Sequence, residues 1–206
     1  GDVRILLNSH AHSDHAGGLR DLQQASGAKL WVSRGDSAVM ADGGRGDVAL
    51  GPARFTWYIG LLRFPAPSIA GIVEDGDTIS VGSARVIAHL TPGHTRGCTS
   101  WEIPLREGER ELLAVSICSL KLFPFVPITS RAYPEIRTDF ESSFERLRSL
   151  PADIFLASHA NWADLHAKNR ARGADVDSIT PFIDPEGYRS FIDQAERSYL
   201  QRVTPN

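Results

Sequence analysis

Asn8-Ser9-His10-Ala11-His12-Ser13-Asp14-His15-Ala16-Gly17-Gly18 follows directly on an apolar, strand-like run from Val3 to Leu7. Four side chains able to ligate a metal fall within six residues, and imidazole plus carboxylate is a donor set suited to zinc or a similar divalent ion. In an extended segment His10 and His12 project to the same side, because side chains alternate with period two. Asp14 and His15 come from the turn that leads into a helix, so one short loop can serve two ions. A helical His-Glu-x-x-His site works differently, with its histidines one turn apart on a single face. The bland alternative is a set of surface polar residues ahead of a helix, with Asp14 as its N-cap. Capping alone gives no reason for four ligand-type residues so closely and regularly spaced.

Around this loop the chain has 206 residues, 42% of them hydrophobic, which suffices for one sizeable core. No compositional break divides it, so a single domain over residues 1–206 is expected. A net charge of −3 gives no broad basic surface, which counts against a nucleic-acid partner and favours a small, anionic substrate. No apolar stretch approaches the roughly 20 residues of a membrane span, so no membrane partner is expected. The chain enters a strand almost at once, and any signal segment would lie outside this sequence. Cys98 and Cys118 are too few for a disulfide scaffold and too far from the histidines for a cysteine-based zinc knuckle.

Beyond the metal loop, residues 16–25 read as a short helix stopped by Gly27, residues 29–33 as a strand and residues 34–41 as a second helix. From Asp42 to Gly71 repeated Gly and Pro break the pattern. This long excursion carries Phe55, Trp57, Tyr58 and Phe64, and both binding and packing over the core are open to it. Ile72-Val73, Thr78 to Val81 and Arg85 to Leu90 read as an antiparallel meander. Its last strand runs into Thr91-Pro92-Gly93-His94-Thr95, where Pro and Gly leave His94 on a loop at the strand tip. Cys98 to Ile103 and Glu111 to Ser116 read as a hairpin, followed by a Pro-broken apolar loop from Leu122 to Ile128. Residues 134–150 repeat apolar side chains at three and four residues and form the clearest helix. Asp153 to Ala157 is a buried strand with His159 just past its tip. Asp164 to Arg172 is helical, and Asp184-Pro185-Glu186 opens a terminal helix to about Arg202.

Three separate loops thus supply His10, His12, Asp14, His15, His94 and His159. Two sets of three leave each zinc an open position for water or substrate, as catalytic sites require. His89 lies within a strand and suits a core role or a hydrogen bond to a ligand, while His166 falls in a polar helix.

His-x-His-x-Asp-His, Thr-Pro-Gly-His-Thr and a later histidine after a strand resemble the metallo-β-lactamase superfamily. That resemblance implies an αββα sandwich, here lacking its N-terminal strands. Residues 8–18 and 91–99 and Asp184-Pro185-Glu186-Gly187-Tyr188 resemble the third subclass (B3) of class B β-lactamases. By that likeness His10, His12 and His94 hold one zinc, and Asp14, His15 and His159 a second. A hydroxide shared by the two ions would attack the lactam carbonyl. Periplasmic or secreted location is implied as well. Glyoxalase-like and lactonase-like members carry an aspartate after the strand where this chain has Ser116-Ile117-Cys118-Ser119-Leu120-Lys121, which favours a β-lactamase. The third subclass has a serine there, matched to Ser119. The first subclass has a zinc-binding cysteine and a substrate-binding lysine, which Cys118 and Lys121 resemble. Because His15 completes the second site, Ser119 is expected to face substrate, with Lys121 as a carboxylate anchor. A late disulfide of several relatives maps to Ala152 and Tyr188 and cannot form.

Two further expectations follow. Without the N-terminal strands one sheet has an open edge, to be covered by self-association. A hairpin turn near Glu107 and Gly108 puts Cys98 nearly opposite Cys118, with Cα atoms about 4.5–5.5 Å apart. Two close, buried thiols are expected, with oxidation open to them if the protein is exported. Three functions fit: a dizinc β-lactamase, a dizinc hydrolase of other small esters, lactones or amides, and a metal-binding protein without turnover.

Overall fold

Short apolar runs that follow glycine or turn signals build the first sheet. Ile5–Leu7 (β1), Lys29–Ser33 (β2) and Ile69–Val73 (β3) pair in parallel in the order β1-β2-β3. The computed structural model describes residues 2–50, 55, 60–175 and 177–203. Between β1 and β2 the expected single helix divides at Gly17-Gly18 into Ser13–Ala16 (α1) and Leu19–Ser26 (α2). Gly27 ends α2 at φ 72°, a left-handed cap open to glycine. Arg34–Ala41 (α3) follows β2 without a loop.

The second sheet holds Thr78–Val81 (β4), Ala84–Leu90 (β5), Thr99–Glu107 (β6), Arg110–Ile117 (β7) and Ile154–Ala157 (β8), in sequence order. Its first four strands are antiparallel, whereas β8 pairs in parallel with β7. Ile136–Ser149 (α4) makes that crossover. Two corrections concern strand pairing. Ile72-Val73 belongs to β3 of the first sheet, opposite Val32 and Ser33, and not to the meander. Gly71 faces Trp31, whose ring occupies the space a Cβ would need, so a side-chain fit invisible in the local pattern chose the partner. The β6-β7 turn also lies one residue later than expected, on Gly108-Glu109, with Glu107 opposite Arg110. Gly108 supplies the positive φ that a tight hairpin needs.

Three apolar layers follow. Leu30 and Val32 of β2 pack with Leu19 of α2 and Met40 of α3. Val73, Ala88 and Trp101 meet Leu7 and Trp31 between the sheets. The largest cluster sets Ile136, Phe140, Phe144 and Leu147 of α4 against Val115, Ile117 and Phe155, with Tyr188, Ile192 and Tyr199 from Pro185–Val203 (α6), the helix that follows the short Leu165–Ala171 (α5). At roughly 25 cal/mol per Å² of apolar surface, each of these aromatic rings contributes about 2–3 kcal/mol. The result is an αββα sandwich. Phe64 is buried in the first layer and so packs, while Phe55 is exposed; Trp57 and Tyr58 lie outside the described residues. Because β1, β5, β7 and β8 end on one edge of the sandwich, the loops that leave them converge there.

Candidate metal centre

His10, His12 and His94 bring one nitrogen each within 4.8 Å of the others. Their rings stand 4.7 to 4.8 Å apart, centroid to centroid, at near right angles. Each imidazole has one nitrogen held by protein. His94 Nδ1 donates to the carbonyl oxygen of Lys121 at 2.7 Å, and His12 Nε2 meets Asp47 Oδ2 at 2.8 Å. His10 Nδ1 lies 3.1 Å from Ser9 Oγ and 3.5 Å from Cys118 Sγ. Holding one ring nitrogen fixes the tautomer and aims the other, the arrangement metal-binding histidines use. His10 Nε2 is buried with no hydrogen-bond partner, the orphaned atom that an ion would satisfy. Burial, reinforced by the neighbouring histidines, keeps the His10 imidazole well below its ordinary pKa. His94 is lowered to about 3, again chiefly by burial, with the Lys121 carbonyl opposing. Both rings are therefore neutral, the form that ligates.

Asp14, His15 and His159 form a second group with ligand atoms equally close. Asp14 Oδ2 lies 3.2 Å from His15 Nε2 and 3.7 Å from His159 Nε2. This set is more open: the Asp14 side chain is 59% exposed and that of His159 40%. Burial lowers His15 and Asp14 raises it in opposition. The two groups adjoin, with the His10 and His15 rings 4.1 Å apart. All six sequence-expected ligands thus meet at one edge.

The sequence reading missed what holds the loops together. Asp36, in the first turn of α3, is buried and accepts from Ala11 N–H, Thr95 Oγ1–H and Gly97 N–H at 2.8 to 2.9 Å. It joins the His10-His12 loop to the His94 loop. Desolvation and the nearby Asp47 push its carboxyl up to about 6, against those three donors. Gly97 permits the approach, because a Cβ there would collide with Ser33 Oγ and the Asp36 backbone nitrogen. Asp36 and Asp47 are lone acids without local periodicity. The only signals were an acid just after a buried strand and another after the glycines at 43, 44 and 46.

Ser119 is buried and its hydroxyl accepts the Lys121 N–H at 3.3 Å. Lys121 is exposed, with Nζ 5.7 Å from the Phe123 ring centroid. Phe123 lies 4.9 Å from the His94 ring and 5.9 Å from that of His12, and it stacks on Phe125. The loop after β7 therefore sets an aromatic wall beside the first triad. His89 pairs with Glu102 at 2.7 Å, away from the ligand groups, and His166 is exposed. The cysteines are a disulfide with Cα atoms 5.8 Å apart, a correction to the two thiols expected. β6 and β7 bring the pair together just past the last ladder partners, and Cys118 there backs directly onto His10.

Two adjoining triads, one of three imidazoles and one of two imidazoles and a carboxylate, at one edge of an αββα sandwich, define a metal-dependent hydrolase class. The chain belongs to the metallo-β-lactamase superfamily, whose domain matches residues 1–108. Its fold is similar to the native FEZ-1 metallo-β-lactamase from Legionella gormanii. The TM-score is 0.87 at 33% identity, over 99% of this chain and 77% of that one. BJP-1, a subclass B3 metallo-β-lactamase of Bradyrhizobium japonicum, superposes with a TM-score of 0.83 at 28% identity, over 98% and 73%. In sequence the chain is 33% identical over 103 residues to the hydroxyacylglutathione hydrolase of Maricaulis maris. That match takes in 50% of this chain and only 30% of the relative's length.

Proposed function

We propose that this protein is a dizinc hydrolase that opens β-lactam rings, with one ion on His10, His12 and His94 and the other on Asp14, His15 and His159. The observation that carries the reading is the pair of triads sharing an edge at His10 and His15. Zinc held this way polarises a carbonyl oxygen and makes water acidic near neutral pH. The chain's own groups do the rest. Lys121 carbonyl and Asp47 fix the His94 and His12 rings. Asp14, exposed on one side, orients the attacking water and holds a proton during ring opening. Lys121 Nζ and Ser119 take the substrate carboxylate, and Phe123 keeps bulk water from the first triad.

The β-lactamases among the similar structures support this substrate, as does the absence of any acid over residues 116–121. A thioester hydrolase is the second reading, favoured by the hydroxyacylglutathione hydrolase relative. Nitrocefin and a hydroxyacyl-glutathione thioester, each assayed with and without added zinc, separate the two. Zinc-dependent nitrocefin turnover is expected; thioester turnover alone would overturn the lactam assignment. The Cys98–Cys118 bond supports export to an oxidising compartment. Among the described residues β1 and β4 each pair on one side only, which supports self-association through a strand edge; light scattering at micromolar concentration tests it, and a monomer there overturns it.

A further inference from the structure

A cavity of about 430 Å³ lies between the loop after β7 and α6. Leu120, Leu122, Trp162, Phe191, Ala195 and Tyr199 give it apolar walls, and Lys121 and Arg202 are its charged residues; no carboxylate is among its lining. Its size falls within the roughly 300–1,000 Å³ of small-ligand sites. Two of its walls reach the metal ligands. The Lys121 carbonyl holds His94, and the Trp162 ring stands 4.4 Å from that of His159. The loop thus has two working sides, Phe123 against His12 and His94 and this cavity behind.

Arg202 keeps the loop in place. From the last turn of α6 its guanidinium donates to the carbonyl oxygens of Leu122, Phe123, Pro124 and Val126 at 2.5 to 3.2 Å. Four bonds from a planar, multiply donating group leave that backbone little freedom. The cavity is accordingly formed without a ligand, which lowers the entropy lost on binding. Its charge is one-sided, because these carbonyl partners solvate the Arg202 cation without cancelling it and, among the described residues, the Lys121 ammonium meets only the Phe123 ring.

We propose that this cavity seats the apolar arm of an anionic acyl substrate, whose carboxylate lies against Lys121 at the mouth. The proposal rests on the hydrolase reading above and narrows its substrates to anionic amphiphiles carrying an aryl-sized substituent. Binding, not turnover, tests it. The zinc-loaded full chain is titrated calorimetrically with 4-phenylbutanoate and with butanoate, which share the carboxylate and differ in the arm. Phenylbutanoate is expected to bind at least about tenfold tighter. Ala195→Trp, which fills the cavity from α6, is expected to bring the two within about twofold while leaving butanoate binding unchanged. Ser198→Trp, from the exposed side of the same wall, carries the same expectation should the first variant lose its wild-type circular dichroism. Equal binding of the two acids by wild type overturns the proposal, as does a preference that survives in a folded variant. Nitrocefin turnover is read separately on the same samples. A phenyl preference without turnover defeats the hydrolase reading alone, and turnover without a preference defeats the cavity alone.

Discussion

Asp36 accepts from the backbone of the first ligand loop and from Thr95 and Gly97 of the second, while burial holds its carboxyl up to about 6. Asp36→Asn keeps the shape but turns one acceptor into a donor that faces N–H or O–H groups. It is expected to cost about 1–3 kcal/mol in urea unfolding and roughly 10–100-fold in zinc affinity measured by chelator competition. Unchanged affinity would show that the loops hold their spacing without it. Protons act on the same residues in opposite senses. His10 and His94 are neutral when folded, so the unfolded chain binds more protons below about pH 6.5, and the stability they confer is lost as pH falls toward their lowered values. Asp36 has a raised value, so its share is present at low pH and lost as pH rises through about 6. With two histidines against one acid, the metal-free protein is expected to be less stable at pH 5 than at pH 7.5. For His94 alone the difference is about 2 kcal/mol, and urea titration at the two pH values measures the sum. At this scale the sequence displayed the six candidate ligands because four of them crowd one loop, and hid Asp36 and Asp47 because each is a single acid whose role exists only across the fold.

Elements with strong local patterns were legible almost to the residue. The strand 29–33 and the helix 34–41 occur as read, and the long helix runs Ile136–Ser149 between Pro134 and Pro151. Pairing was less legible, since β3 chose its partner through Trp31 over Gly71, and the β6-β7 register depended on which residue could take a positive φ. A strand end shows the same dependence of local shape on distant packing. Gly93 takes φ 129° immediately before His94, and a Cβ there would meet the Phe140 ring at 2.8 to 3.0 Å. Gly93→Ala therefore combines a backbone conformation that other residues rarely adopt with overpacking against α4. A loss of about 2–4 kcal/mol in thermal or urea unfolding is expected, together with reduced metal content as His94 is displaced. Full metal content in that variant would show that the loop can reset without moving the ligand.

Across the whole molecule, the disulfide closes a sequence separation of 20 residues around the β6-β7 hairpin. Restricting the unfolded chain over such a loop is worth about 3 kcal/mol. The double variant Cys98→Ala and Cys118→Ala is expected to lose about that much in urea, and reductant should lower wild type but not the variant. A wild type indifferent to reductant would place the stabilisation elsewhere. The candidate ligands have their own distribution along the chain: residues 10 to 15, then 94, then 159, with α4 and the parallel β8 between the last two. Synthesis runs in one direction, so the chain leaving a ribosome can assemble the histidine triad some 65 residues before it can offer His159. If both triads hold metal as proposed, the two ions would then be acquired as successive events in the protein's history, the second only once the crossover has docked. Refolding in cobalt, followed by absorption, should resolve a faster first occupancy from a slower second, the interval between them timing the closure of the second sheet.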